Sequence, residues 1–547
     1  MHRIPRIDVW LWVCIAAGVL AMRLYPTFSP ELNHDSFQYL SAADNVLAGK
    51  IGYTSLIHYD VERSFGVIPA PMLTFPVGYP LAIAFVSLAG ISTKTAALIL
   101  SVVSTLACIP LMAWMGVQLG LTRGLRNVVV ACFVFNGIVS EFGSAALSEA
   151  PFMFLVLLGV AALVAARSRG GNGNAAGLGY WLAAGLAFGT AYFVRYAGLF
   201  FIVGLMLLLG RHLMARRQLL LRGHAIAFAV ACLFVAVNVA RNILLVGNWH
   251  GRDDMAVSNP LLPVLAQTGR AMNALFLGAG TGPTAPGGTF VPKAIFSALL
   301  VAGIASLAWS RRRHRPASGA QPQPVATAAG DLLLLSAVYA ACMLYAGLTS
   351  EISYGTARNF VPLIPLILLL FGMALRILLA DQEQHTAGRR LSIAALVFSL
   401  CFYVYLNLLV IRRPLVDQVT AVAARFDSQT GGTTSRAAIL SSVGPHGVIL
   451  ANNGQAVGHV LGRPTISMVG PTFSRVVWDE QTVRATAQRF HVAAIVISVP
   501  TPEQADDEDD IPSPFVRHLA QGTAPAWLKL EHRSGSVLTY VPVSARP

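Results

Sequence analysis

Long apolar runs, broken by short polar segments that often carry arginine, fill the first three quarters of the chain. A helix needs about 20 apolar residues to cross a bilayer, and runs of about that length are read here as crossings. They recur near 8–25, 95–119, 127–141, 150–166, 178–194, 196–210, 225–246, 293–310, 331–349, 360–379 and 391–411. The pattern predicts an α-helical polytopic membrane protein with about eleven transmembrane helices. From residue 414 onward the runs shorten and alternate with amphipathic stretches: 447–451, 482–490, 492–498 and 513–522. This is the alternation of a small α/β domain. The predicted domains are therefore 1–413 in the membrane and 414–547 outside it.

Composition agrees with this division. Of 547 residues 55% are hydrophobic and 12% charged, with mean hydropathy +0.62. A water-soluble globule of this length would not show those values. The net charge of +14 does not point to nucleic acid, because residues 414–547 hold 10 Lys/Arg against 11 Asp/Glu. The basic excess thus belongs to the membrane part, where it marks topology. Cys14, Cys108, Cys132, Cys232, Cys342 and Cys401 all lie in apolar stretches and read as small core residues without disulfides.

With Arg3 and Arg6 holding the N-terminus in the cytoplasm, the clusters Arg123/Arg126, Arg167/Arg169, Arg211/Arg216/Arg217/Arg222, Arg311 to Arg315 and Arg389/Arg390 fall on the cytoplasmic side. This requires that 77–91 not cross but lie as a re-entrant or interfacial piece of the first outer loop, about 26–93. Arg412 and Arg413 are then a tolerated outer exception. The first span lacks a small-residue cleavage site and reads as an uncleaved signal anchor. The other outer segments are 141–149, the Arg195/Tyr196 turn, 247–292, 350–359 and the tail. A bacterial cytoplasmic (inner) membrane location with an extracytoplasmic tail is expected. The segment 170–177 reads as a Gly/Asn-rich turn, 311–330 as a flexible linker and the acidic run 506–510 as a solvated loop.

Asp35 stands out within this frame. It opens a segment, H-D-S-F-Q-Y-L-S-A-A-D-N-V-L-A-G-K, that directly follows the first span. Helical spacing sets Asp35, Gln38, Tyr39 and Ala42 along one side and Phe37, Leu40, Val46 and Leu47 along an apolar side, as in a helix lying in the membrane interface. Near a helix N-terminus, with Asn33 or His34 as cap, the dipole favours an ionised carboxylate. On spacing alone Asp35 reads as a capping acid or as a base. Asp44, nine residues on, lies about 180° around the helix and reads as a solvated or packing residue. His58, Asp60, Glu62 and Arg63 line a polar site in this loop or are ordinary loop polarity.

This segment, followed by F-P-V-G-Y-P at 75–80, resembles the first outer loop of GT-C glycosyltransferases, and within them the bacterial protein mannosyltransferase-like family that includes aminoarabinose transferases. Three further pieces resemble that family in order: A-L-S-E-A-P-F around Glu149, A-R-N-I-L-L-V-G-N-W around Arg241 and A-R-N-F-V-P-L-I-P around Arg358. The resemblance implies a GT-C fold and transfer of a sugar from a polyprenyl-phosphate donor to an envelope acceptor, with inversion at the anomeric carbon. By position in the motif, Asp35 takes the role of general base. The leaving lipid phosphate needs positive charge beside its developing dianion. Arg358, whose planar guanidinium suits bidentate phosphate contact, is the first candidate, with Arg241 and Arg195 behind it. Each also reads as an interfacial anchor whose long side chain snorkels. Glu149, Tyr39 and His58 are assigned to substrate binding, Glu149 as an acceptor contact or a structural cap.

Oligosaccharyltransferases of the superfamily bind a divalent metal through a second acid in the loop that here carries Glu149. That loop has Glu149 and Glu141 but no Asp-x-Glu pair, so it does not assemble the several oxygen ligands of a hard cation. No metal and no cofactor beyond the lipid-linked sugar is expected. The chain has no Walker phosphate loop, no Cys-x-x-Cys pair and no His-Glu-x-x-His helix, so nucleotide hydrolysis and zinc chemistry lack support. The alternatives are an envelope polysaccharide ligase or polymerase outside GT-C, which would lack an acid so soon after the first span, and a multi-span lipid or solute transporter, which would place ionisable groups near mid-membrane. The turn Asn452/Asn453/Gly454 reads as a strand end or a sugar contact.

Overall fold

The computed structural model describes residues 6–58, 61–169, 175–216, 218–249, 258–277, 324–350, 356–381, 386–412, 418–427, 429–430, 433–469, 476–499 and 511–543. The expected span 293–310, the Arg311 to Arg315 cluster, Asp60 and the acidic run 506–510 lie outside them. The chain divides into two compact units. One comprises 1–30, 98–239 and 254–415, and the other 31–97, 240–253 and 416–547.

The first unit is helical. Five described helices are long and apolar enough to cross a membrane: Thr93–Gln118, Glu149–Ser168, Gly177–Val194, Leu220–Val246 and Ala328–Thr349. A sixth crossing arises if the pair Arg123–Val134 and Gly137–Gly143, bent by 56°, is one span. The other expected crossings meet shorter apolar helices, Gly198–Met214, Leu363–Ile377 and Val397–Ile411, and the first helix Arg6–Leu24. The chain is thus a multi-pass helical membrane protein with five to six spans of full length among the described residues. Leu261–Leu277, expected as outer loop, is a helix that buries Val264, Leu275 and Phe276.

The bend has a local cause. Asn136 breaks the helix and caps the next one, its Oδ1 accepting from Val139 N at 2.9 Å. The groups freed by the break find partners. Asn407 Oδ1 accepts from Gly137 N at 2.7 Å, while the Tyr403 hydroxyl donates to Cys132 O at 2.7 Å and accepts from Asn136 Nδ2 at 2.9 Å. Unsatisfied backbone costs most in an apolar medium, so this buried network is what permits the bend.

Two ionic clusters mark opposite ends of the same helices. Glu149 opens the helix Glu149–Arg169, and Arg167 near its far end pairs with buried Asp331, which Arg211 also contacts. Arg167 Nη2 further lies 3.0 Å from His212 Nε2 and 3.3 Å from His224 Nε2. At the start of the first helix, Arg123 donates through Nε and Nη2 to both oxygens of Asp8, at 2.7 and 2.6 Å. Near its other end Arg23 Nε donates to Ser144 Oγ at 3.0 Å.

The second unit is built on a six-stranded sheet in the order Leu56–Ile57, Thr465–Ser467, Val448–Ala451, Val492–Ser498, Val537–Pro542, Leu528–Ser534. The first four are parallel and the last two antiparallel. Helices Gly454–Leu461 and Glu480–Arg489 make the crossovers that parallel strands require. Leu450, Ile466, Trp478, Val483, Ile495, Val516 and Leu538 form a closed apolar core. Burying each such aliphatic side chain contributes roughly 1.5–3 kcal/mol, before the entropy of ordering is set against it. The edge strand Leu56–Ile57 comes from the first outer loop, in register Leu56 to Thr465 and Ile57 to Ile466. That loop therefore folds as part of the α/β unit.

Residues 77–91 do not form a crossing helix. The helix Gly78–Ser87 has 10 residues, about 15 Å at the α-helical rise, half a hydrocarbon core. It packs on His34–Leu47, where Tyr39 meets Tyr79 edge-on at 5.0 Å and Phe75 at 4.8 Å.

Candidate functional site

The helix His34–Leu47 begins at Asn33, whose side chain accepts from Asp35 N at 3.1 Å and Ser36 N at 3.2 Å. Ser36 Oγ accepts in return from Asn33 N at 3.1 Å, closing a capping box. Asn33 is therefore the cap, and Asp35 lies in the first turn of the helix. The side chain is half-buried. The ring of His34 stacks on His58 at 5.9 Å between centroids. Burial, and then repulsion from His34, lower the pKa of His58 to about 3, while the nearby Asp35 charge pulls in the opposite sense. The loop thus holds His58 neutral within electrostatic reach of Asp35.

The interfacial reading of this helix is corrected. Ser36, Phe37, Gln38, Tyr39, Leu40, Ala42, Ala43 and Asn45 are all buried, and of the apolar side only Leu47 at the C-terminal end is exposed and Val46 half-buried. Gly78–Ser87 covers one face and Gly454–Leu461 another, with Phe37 against His459 at 5.2 Å. Tyr39, assigned to substrate, is 1% exposed among Phe75 and Tyr79. It is a packing residue, and a substrate could not reach it without unpacking that cluster.

Arg241 sits in the same unit. Its Nη2 donates to Gly52 O at 3.0 Å and Met72 O at 2.8 Å, and its Nη1 to Asn242 Oδ1 at 3.2 Å. Gly52 has φ +80°, and a Cβ there would come within 2.7 Å of the guanidinium. The arginine clasps two turns of the first outer loop, and only glycine lets it come so close.

In the helical unit, Glu149, Arg195 and Arg358 come together. Glu149 is 1% exposed. Its Oε1 accepts from Arg195 Nη1 at 2.6 Å and from Arg358 Nε. Arg195 Nη1 also donates to Ser148 Oγ at 3.0 Å, and its Nη2 lies 3.4 Å from Asn359 Oδ1. The Tyr339 hydroxyl donates to Asn359 O at 2.6 Å, fixing the short helix Ala357–Phe360 that carries Arg358. Arg195 follows the last residue of the helix Ala175–Val194. Two guanidinium groups thus share one carboxylate oxygen, and guanidinium is a side chain suited to binding anionic oxygens.

Sequence reading named the three charged residues separately but missed Ser148, Asn359 and Tyr339, which orient them. Asn359 follows Arg358 directly in A-R-N-F, a signal that was available. Tyr339 gave none, since it reads as one more aromatic residue in an apolar run. With two guanidiniums on Glu149, a cation there would meet positive charge. Among the described residues no three His, Cys, Asp or Glu side chains converge on a common point.

The family model described as dolichyl-phosphate-mannose-protein mannosyltransferase matches residues 77–250. No curated protein matches the chain. Among solved structures, ArnT from Cupriavidus metallidurans bound to undecaprenyl phosphate has TM-score 0.57 at 14% identity, covering 98% of this chain and 98% of that one. The oligosaccharyltransferase AglB from Archaeoglobus fulgidus, in complex with an inhibitory peptide and a dolichol-phosphate, has TM-score 0.55 at 11% identity, covering 89% of this chain and 69% of that one. Arabinofuranosyltransferase AftD from Mycobacteria has TM-score 0.51 at 14% identity, covering 97% and 41%. These likenesses show that the chain has the GT-C type of fold, and the mannosyltransferase family model covers 174 of its 547 residues.

Proposed function

We propose that the chain moves a sugar from a polyprenyl-phosphate donor to an envelope acceptor (a lipid, a glycan or a protein) with inversion at the anomeric carbon. The reading places it in the bacterial cytoplasmic membrane, N-terminus inside and α/β unit outside, with the reaction on the outer face. The observation that carries it is the buried Glu149 bridging Arg195 and Arg358, a cationic arrangement suited to a lipid phosphate.

In this mechanism an acceptor hydroxyl oxygen attacks the anomeric carbon and Asp35 takes its proton. The bond from that carbon to the phosphate oxygen breaks, and the electron pair leaves with the lipid phosphate. Arg358 and Arg195 stabilise the dianion that forms, and Glu149 orients both arginines. The lipid phosphate is a good leaving group, so no separate acid is required. Arg241, its Nη2 engaged by two carbonyls, acts by holding the first outer loop. Asn33 is the cap of the Asp35 helix, which is compatible with the base role for the carboxylate.

The test is reconstitution in vesicles with a polyprenyl-phosphate sugar and an envelope extract. The acceptor is identified by mass spectrometry of envelopes from cells with and without the active protein. Loss of one sugar from an envelope component, together with accumulation of a lipid-linked donor, is expected. Identical envelope and donor profiles would refute the reading.

A further inference from the structure

The α/β unit contains a cavity of about 300 Å³ that the proposed reaction does not use. It is lined by Ser41, Asp44, Asn45 and Ser55 from the first outer loop and by His459 and Arg463 from the tail. Its volume lies at the lower end of small-molecule sites. We infer that this pocket holds a saccharide unit of the acceptor, at a distance from the reacting hydroxyl; the assignment to an acceptor rests on the glycosyl-transfer reading above.

Several observations favour a saccharide. Asp44 and Arg463 cancel in formal charge, so neither an anion nor a cation is selected. The lining sets acceptors, the carboxylate, amide and hydroxyl oxygens, beside a donor, the Arg463 guanidinium. A sugar hydroxyl both donates and accepts, and it is the neutral group that such a lining satisfies. Leu56 and Pro464 add an apolar patch for the C–H face of a ring.

The pocket is also held in shape. Asn45 Nδ2 donates to Ser41 O at 2.8 Å and Ser55 Oγ at 3.1 Å, and Ser55 N donates to Ser41 Oγ at 2.9 Å. Arg463 Nε donates to Gly444 O at 2.8 Å, leaving its plane fixed at the rim. Asp44 is held by a hydrogen bond from Thr93. At Gly458 a Cβ would fall 2.4 Å from Leu56 Cδ2, so glycine is needed for the tail helix to close on the loop strand.

Asp44 lies nine residues beyond Asp35 on one helix, about 13.5 Å along its axis and about 180° around it. The saccharide in the pocket is therefore not the one that is glycosylated. It belongs to an elongated acceptor that wraps the helix, and its binding positions a distant hydroxyl.

The test uses the full chain in detergent micelles and a panel of free disaccharides: mannobiose, chitobiose, galactobiose and maltose. Saturation-transfer NMR is expected to show contact with at least one of them in the inactive Asp35→Asn protein, so the readout does not depend on turnover. Adding Asp44→Asn or His459→Ala is expected to abolish that contact with the melting temperature unchanged. In the active enzyme with its envelope acceptor, Asp44→Asn is expected to raise the acceptor KM about tenfold while the donor KM and kcat hold. No contact with any disaccharide, contact that survives both substitutions, or an unchanged acceptor KM would each overturn the inference. Failure of glycosyl transfer itself would appear separately, as loss of turnover with saccharide contact intact.

Discussion

Arg195 and Glu149 form a buried ion pair at 2.6 Å, with side chains 16% and 1% exposed, and Arg358 donates to the same carboxylate oxygen. Removing a charged group from water costs several kcal/mol unless partners replace the solvent. Here one carboxylate oxygen is shared by two arginines. On the proposed reading the two guanidinium groups also meet the charge that develops on a departing phosphate.

Glu149→Gln keeps the shape but leaves two guanidiniums beside a neutral amide. Breaking a buried pair in this way costs about 3–5 kcal/mol. The melting temperature in detergent is expected to fall and the donor KM to rise, read by thermal scanning and donor titration. A variant with wild-type stability would show that the pair carries no structural weight.

Arg358→Ala is expected to weaken donor use about 10- to 100-fold with little effect on acceptor KM. Arg358→Lys should recover part of the loss, because an ammonium restores charge but not the bidentate fork. Titration of donor against acceptor separates the two, and a loss confined to acceptor would remove Arg358 from the donor site.

Asp35→Asn is expected to lower kcat by about 10²–10⁴, the usual contribution of a positioned base. Because Asn33 supplies the cap, expression and melting temperature should hold. The reverse outcome, normal turnover with a destabilised first outer loop, would return Asp35 to a structural role.

Protonation of His58 is expected to oppose folding. Its folded pKa, about 3, lies below the unfolded value near 6.5, so between those values the unfolded chain binds the extra proton. Stability is then lost as pH falls from about 6.5 towards about 3. The His58→Gln variant should show a shallower fall of melting temperature from pH 7 to pH 4 than the parent. Parallel curves would refute the burial of a neutral imidazole.

Asn136→Leu is expected to destabilise by about 1–3 kcal/mol, since Val139 N and the Tyr403 hydroxyl each lose a partner in an apolar setting. Denaturation in detergent measures it. Asn407→Leu should have a similar effect through Gly137 N.

Apolar run length and the basic residues between runs determined the class of this protein, because both are local quantities that a bilayer reads directly. The same local logic placed an acid just after the first span and an α/β pattern in the tail. Partners that meet across the chain were not legible. Nothing in the first outer loop announces that Leu56 and Ile57 complete the edge of a sheet made by the tail, or that two other helices pack on an apparently interfacial one and bury most of it. Periodicity could not tell that Tyr39 packs against Tyr79, because a buried aromatic and an exposed one have the same spacing. Sequence named Glu149, Arg195 and Arg358 as separate candidates. Only tertiary structure decided that one buried oxygen draws both arginines together, since that depends on where three helix ends meet and not on the residues beside each.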